Sequence, residues 1–495
     1  MKGTSKQPYK KLDSSEPEPA ACTSKSTRHS SPIPVSSDLQ FELSTFHDYE
    51  LLPTTSGARN NKNVQNNVEL NLQFEDPNVS QLTNPNRGKS NMYMAFMNMA
   101  NSILGAGVIG QPFAIKNCGL IGGVCLIVLL TIIVDWTIRL IVINLKLTGK
   151  TTYQDSVEFA MGTKGKLLIL FVNGLFAFGG CVGFCIIIGD SIPHVLKAFF
   201  PSHSELFRRN VVISVVTLFI SYPLSLNRNI SKLSKASMLA LVSLLLIVAL
   251  VIIRAPKVED EYKGQFTWEE AFITPRVFQG ISIISFALVC HHNTSFIFFS
   301  LKNPSLKRFG NLTHISCIIS MLVCLIAGYV GFLTFKDKTK GNILNNFPSN
   351  DNFINFARFC FGFNMLTTFP LEIFVLRDVV RDLLYFQSAD SESIILTTKE
   401  HFIVTSVLVF ISMSISLTTC NLGALLELVG STTASLTAYI LPPATTLALT
   451  GKTKTLKERT PYYACIMFGF SIMIVSSTQT ILSAIYGTEI KHCEA

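Results

Sequence analysis

Charge is scarce in this chain. Only 15% of its 495 residues are Asp, Glu, Lys or Arg, against 48% hydrophobic residues, and the apolar ones lie in runs rather than at the spacing of amphipathic soluble helices. A single soluble core is thereby excluded. No C-x-x-C pair occurs among the twelve cysteines, which removes the common zinc and dithiol arrangements. Most of them, including Cys125, Cys181, Cys185, Cys290, Cys317, Cys324 and Cys465, fall inside apolar runs and read as small packing residues. The first ninety or so residues hold no hydrophobic segment of signal-peptide type, so the first membrane helix is expected to act as the insertion signal. Nor does a basic stripe underlie the formal charge of +9. Lys452, Lys454, Lys457 and Arg459 show the actual pattern of short clusters between apolar runs, which fixes orientation in a membrane and excludes nucleic acid as a partner.

What is present is a succession of apolar windows long enough to cross a hydrocarbon core of about 30 Å. They place about eleven transmembrane helices near 92–115, 119–144, 167–190, 210–227, 236–254, 278–300, 313–335, 355–377, 401–420, 422–447 and 462–485. Residues 1–90, rich in Ser, Pro, Asn and charge, are expected to form a disordered cytosolic tail, because they cannot bury enough surface to offset ordering entropy. Residues 91–490 form the transmembrane domain. Asp48-Tyr49-Glu50-Leu51-Leu52 in the tail resembles an acidic dileucine sorting signal, but its acidic spacing is off by one. With the tail cytosolic, the loops on its side carry Lys146, Lys150, Lys164 and Lys166, then Arg228, Lys232 and Lys235, then Lys302, Lys307 and Arg308. The sequons at Asn78, Asn229 and Asn311 fall on that side and Asn293 falls within a span.

Two spans are predicted to break. Span one reads Asn98-Met99-Ala100-Asn101-Ser102-Ile103-Leu104-Gly105-Ala106-Gly107-Val108-Ile109-Gly110-Gln111-Pro112, with three glycines and a proline at membrane depth. Unwound backbone is tolerated there only where it lines a protein-enclosed or watery cavity. The alternative is close helix packing by small residues. Gly105-x-Gly107-x-x-Gly110 also fits the dinucleotide fingerprint, which is excluded because no strand precedes it. Span six holds Cys290-His291-His292-Asn293-Thr294-Ser295 between apolar flanks; either it is discontinuous too, or its histidines face opposite sides of a helix surrounded by protein. Spans five apart run in opposite directions, as two inverted five-helix repeats require.

These residues resemble the amino acid/auxin permease family, and its fungal vacuolar and sodium-coupled neutral amino-acid transporter-like members, from about Met92 to Tyr486. Asn101 to Pro112, Pro223-Leu224-Ser225-Leu226, Ser285-Phe286-Ala287 and Cys290-His291-His292-Asn293 carry the resemblance. It implies an all-α fold of LeuT-like 5+5 inverted-repeat architecture with an extra C-terminal helix, and an amino-acid substrate held between spans one, six, three and eight. It also implies that Asn101 and Thr368 match polar positions used for cation binding by sodium-coupled relatives, whereas fungal vacuolar relatives are proton-coupled.

Candidate residues follow. Backbone N–H groups of Gly105, Ala106, Gly107 and Val108 could receive a substrate carboxylate at a half-helix end. On the strength of the resemblance, the amino group takes unwound carbonyls near Ser285 to Leu288. His291 could relay protons or simply hydrogen-bond a neighbouring helix. Glu427 in span ten is preferred as a proton site over Glu372 in span eight, which Arg377 is expected to neutralise. Asp135 and Arg139, four residues apart, are expected to pair on one helix face, and Asp190 to lie at the interface. Trp136 and Trp268 read as membrane anchors. The chain is thus expected to be a secondary amino-acid transporter of a vacuolar or other endomembrane, coupled to protons, with sodium as the alternative ion. No enzymatic activity, cofactor or metal is expected. Rival readings are an amino-acid sensor, a channel, and a sodium-coupled plasma-membrane transporter.

Overall fold

The structure, a computed structural model, describes residues 90–228, 234–386 and 396–486. Among the described residues ten helices are long and apolar enough to cross a membrane: Met92–Cys118, Leu120–Thr148, Tyr153–Phe199, Leu239–Lys257, Val277–Ser300, Leu306–Lys338, Asn352–Leu384, Thr398–Thr418, Leu422–Thr450 and Leu456–Ser483. The remaining window is the shorter apolar helix Arg209–Ser225, continuous through a π-helical turn at Thr217–Ser221. At 1.5 Å per residue it is about 25 Å long, slightly under the hydrocarbon thickness. With this segment as span four, the helices coincide with the eleven windows. Among the described residues the one departure from helix and loop is an isolated bridge, Ser90 to Leu301; this is an all-α multi-pass membrane protein. The tail over 1–90, apart from Ser90, the Asp48 to Leu52 motif and the sequons at Asn78 and Asn229 lie outside the described residues. Asn311 falls inside the helix Leu306–Phe335.

Span three is longer than its apolar window. Tyr153–Phe199 bends at Gly162, whose φ of 74° a side chain would resist. The turns before the bend are polar, with Lys166 bridging Asp155 and Glu158 at 3.1 and 2.9 Å, so hydropathy alone does not detect them. Helix starts are chemically marked: Thr397 and Glu400 form a capping box, and Asp351 accepts from the backbone N–H of Phe353 and Ile354.

Spans five apart pack antiparallel. Along spans one and six, Ser90 N–H donates to Ser300 O at 3.1 Å, Asn293 Nδ2 donates to Ser102 Oγ at 2.8 Å, Gly107 abuts Ala287, and Cys118 abuts Gly280. Residue numbers rise in one span as they fall in the other. The same holds for spans two and seven, where Tyr329 donates to Leu120 O at 2.9 Å and Asp135 meets His314 at 3.0 Å. In spans three and eight Gly174 faces Val379 and Gly180 faces Glu372. In spans four and nine Arg209 donates to Ser416 O and Thr419 O, and Tyr222 pairs with Ser406 at 2.8 Å. Asp135 and Arg139 do pair, at 3.0 Å. Trp136 is half-buried with its ring 5.4 Å from Tyr462, whereas Trp268 is 83% exposed in a loop.

On the side where span one ends, the segment between spans seven and eight forms a strap. Lys116 donates to Asp337 O and Thr339 O at 2.6 and 3.2 Å, and Gly341 lies against the backbone of Gly423. Asp190, at the end of its apolar run, is shielded from solvent by protein, with Arg209 at 3.6 Å and donors from Asn342 and Asn345 at 3.3 and 3.0 Å. A buried carboxylate needs such partners, and the two asparagines arrive from a loop no hydropathy window describes. Nine described cysteines are free, while Cys420, on the strap side, is disulfide-bonded.

Arg358, fully buried, holds the strap by donating to Leu344 O, Phe347 O, Pro348 O and Asn355 Oδ1 at 2.8, 2.9, 3.2 and 2.6 Å. Arg358→Ala leaves those carbonyls unpaired and is expected to cost about 3 kcal/mol, read as a lower melting temperature of the detergent-solubilised protein. Arg358→Lys should fall between. An unchanged melting temperature would show that the strap is held elsewhere.

Candidate functional site

Both predicted breaks are present. The first helix of span one, Met92–Leu104, ends at Gly105, whose φ of 20° and ψ of −143° turn the chain out of the helix while its N–H still reaches Asn101 O. Ala106–Gly110 form one tight turn and Gln111–Cys118 resume the helix, with Pro112 in the first turn, where a missing N–H costs nothing. Gln111 Nε2 donates back to Gly107 O at 3.1 Å, so a side chain replaces a bond the ladder lost. Span six is discontinuous rather than a continuous helix with opposed histidines. Val277–Leu288 ends, Val289 is extended (φ −77°, ψ 114°), and a single turn at His291–Asn293 leads into Thr294–Ser300.

The breaks lie against each other. A Cβ built on Gly107 would overlap Ala287, and one on Gly110 would come within 2.8 Å of the Leu426 side chain, so the first break packs backbone-close on span six and against a side chain of span ten. Gly105 differs: the nearest atom to a Cβ there is Asn101 O at 3.9 Å. Of the four residues expected to offer amides, Gly105 is half-buried and Ala106, Gly107 and Val108 are buried. Gly107 therefore fits the packing alternative. Asn101 is half-buried one turn before the break.

Ser285 and Leu288 occupy the last turn before the second break, both buried. The Ser285 hydroxyl donates to Ile281 O at 2.7 Å and pairs with Tyr439 at 2.9 Å. His291 is fully buried, its Nε2 at 2.9 Å from Thr137 of span two and its Nδ1 without a partner among the described residues. His292 is half-buried, its ring centroid 5.1 Å from that of Phe176 on span three, which also lies 5.6 Å from Phe286. Thr368 is half-buried on span eight and donates to Asn364 O at 2.8 Å.

Glu427 stands apart from the breaks. Asn117, near the far end of span one, and Thr480 of span eleven donate to it at 3.3 and 3.1 Å. Directly after it, Gly430–Ile440 is π-helical, and Gly430 rests against Ser282 O of span six. Arg377 does not neutralise Glu372. Its guanidinium donates to Ser225 O and Thr405 Oγ1 at 3.1 and 3.0 Å, and five helical residues place it well away from the face of Glu372. Thr137, Tyr439 and Phe176 complete the site from other spans. Nothing in the sequence marks them as partners, whereas Gln111, four residues after Gly107, is in register to bond its carbonyl.

Comparison with known proteins gives the same direction. Residues 88–482 match the profile of the family described as transmembrane amino acid transporter protein. The chain is 57% identical over 467 residues to "Vacuolar amino acid transporter 2" of Saccharomyces cerevisiae, covering 92% of this chain and 96% of that one. It is 33% identical over 415 residues to "Putative sodium-coupled neutral amino acid transporter 11" of Danio rerio, covering 82% and 91%. The human protein of the same description is 30% identical over 394 residues, covering 76% and 92%.

Because Gly107 has no room for a side chain, Gly107→Leu is expected to part spans one and six. Solute flux should be lost and the melting temperature should fall, while membrane insertion, which an added apolar residue favours, is retained. Undiminished flux through a normally localised Gly107→Leu protein would mean that the close approach is dispensable.

Proposed function

Since the chain belongs to the transmembrane amino acid transporter protein family, we propose that it carries amino acids across a vacuolar or other endomembrane by secondary active, alternating-access transport coupled to protons. The supporting observation is the pair of antiparallel interrupted helices, joined by Gly107 against Ala287 and Asn293 on Ser102. Interrupted helices at membrane depth expose N–H groups at one half-helix end and carbonyls at the other, which suit an amino acid's carboxylate and ammonium groups respectively. In this reading Gly105 to Val108 supply amides, with Gly105 the most accessible, and the end of the helix at Ser285 to Leu288 supplies carbonyls. The high identity to a protein named for the vacuole favours the endomembrane.

Proton coupling draws on His291 and Glu427, protonatable groups inside the bundle. The sodium alternative is favoured by the names of the vertebrate relatives and by Asn101 and Thr368, whose uncharged oxygens suit a hard cation. In proteoliposomes, radiolabelled amino-acid accumulation should follow an imposed pH gradient, and His291→Ala or Glu427→Gln should weaken accumulation more than exchange at equal pH. Accumulation that requires sodium, ignores protonophores and survives both substitutions would replace the proton by sodium.

In this reading the N-terminus is cytosolic, an orientation supported by the distribution of basic residues. The basic clusters around Lys146 to Lys166, Lys302 to Arg308 and Lys452 to Arg459 lie on the side where span one begins, and basic loops stay cytosolic. In sealed vesicles with the cytosolic face outward, protease should digest an epitope at Met1 and spare one at Ala495. Both epitopes on one side would overturn the odd span count.

A further inference from the structure

Asn364, Thr368 and Glu372 recur every fourth residue of span eight and so share one stripe of its surface. At its Asn364 end the stripe meets span five, where Asn364 Nδ2 donates to Ala240 O at 3.2 Å, and at its Glu372 end it faces span three. There Gly174 is closed by Val379, whose side chain lies 3.1 Å from an added Cβ. At Gly180 the contact is looser. The nearest atoms to an added Cβ are Cγ, Oε1 and Cδ of Glu372, at 3.9, 3.9 and 4.0 Å. One turn earlier on span three is Phe176, whose ring meets Phe286 and His292 at the break of span six. Glu372 is therefore about 6 Å along the helix from an aromatic wall of the proposed substrate site.

No cation pairs with this carboxyl among the described residues. Among the described residues Glu372 makes no hydrogen bond and no ion pair, and it remains partly accessible. Arg377 is turned to spans four and nine, and Cys181 nearby is a free thiol. Every other acid singled out within the spans has partners: Asp135 has Arg139 and His314, Asp190 has Arg209 and two asparagines, and Glu427 has Asn117 and Thr480. An ionised carboxylate at membrane depth is costly unless something pairs with it.

We propose that the pairing group is the substrate's own side chain: Glu372 selects amino acids with a cationic side chain, such as lysine, arginine or ornithine. The inference rests on the transporter reading. The α-carboxylate and α-ammonium groups occupy the breaks, the side chain passes Phe176 and Phe286, whose ring faces favour a cation, and its charge ends at Glu372. A neutral side chain of equal length leaves the carboxylate unpaired, which is why the site discriminates.

The test uses the full chain in proteoliposomes with radiolabelled lysine and norleucine, which differ by the terminal amino group. The wild-type protein should prefer lysine, and Glu372→Gln should reduce the lysine-to-norleucine ratio roughly 100-fold, with Glu372→Asp in between. A wild-type preference for norleucine, or an unchanged ratio in Glu372→Gln, overturns the proposal while leaving amino-acid transport standing. A ratio that holds while Glu372→Gln loses its response to the pH gradient reassigns Glu372 as a proton carrier. Transport of neither amino acid nor any other by the wild-type protein overturns the transporter reading and this one with it. Should Glu372→Gln fail to fold, ligand-induced thermal stabilisation of the wild-type protein decides: lysine must raise the melting temperature more than norleucine at equal concentration.

Discussion

A main chain inside hydrocarbon finds no water to bond, so a helix can be interrupted there only where protein supplies the missing partners. That constraint organises the molecule. The interruption of span one is repaired by Gln111 on Gly107 O and by the turn at Ala106–Gly110, and it is shielded by Ala287 of span six. The interruption of span six is tied to span one through Asn293 and to span two through His291. Each break is thus part of the wall that protects the other, and neither half could be built alone.

Bringing two backbones this close requires residues without side chains at the contacts. Gly107 on Ala287, Gly280 on Cys118, Gly430 on Ser282 and Gly341 on Gly423 meet that need. In a bilayer, where burial of apolar surface gives no advantage over lipid, such close packing and a few interhelical hydrogen bonds hold the helices together. Individual polar pairs contribute modestly, on the order of 1 kcal/mol. Their number at the centre, including Ser285 with Tyr439 and Ser282 with Ser476, gives the core its specificity.

The breaks were legible because their causes are local: a proline beside three glycines, and a run of consecutive polar residues. Span positions were legible because hydropathy is summed over many residues. What escaped is what depends on azimuth and on distant chain. Arg377 lies five residues from Glu372, a spacing that turns the two away from each other, so the expected pair was refuted by helical geometry itself. Asp190 ends an apolar run, and nothing near it in sequence announces its partners, Arg209, Asn342 and Asn345. Thr137 and Tyr439 are ordinary residues of apolar helices until the fold sets them beside His291 and Ser285.

The strap between spans seven and eight is fastened at unequal depth. Toward span eight it is gripped by Arg358, whose bonds are buried or nearly so, and toward span one by Lys116, whose shorter bond is open to solvent. Water can replace the second fastening bond for bond, but not the first. Any rearrangement that parts spans one and eight on this face will therefore break the Lys116 bonds before the Arg358 bonds, and the part of the strap that Arg358 holds stays with span eight.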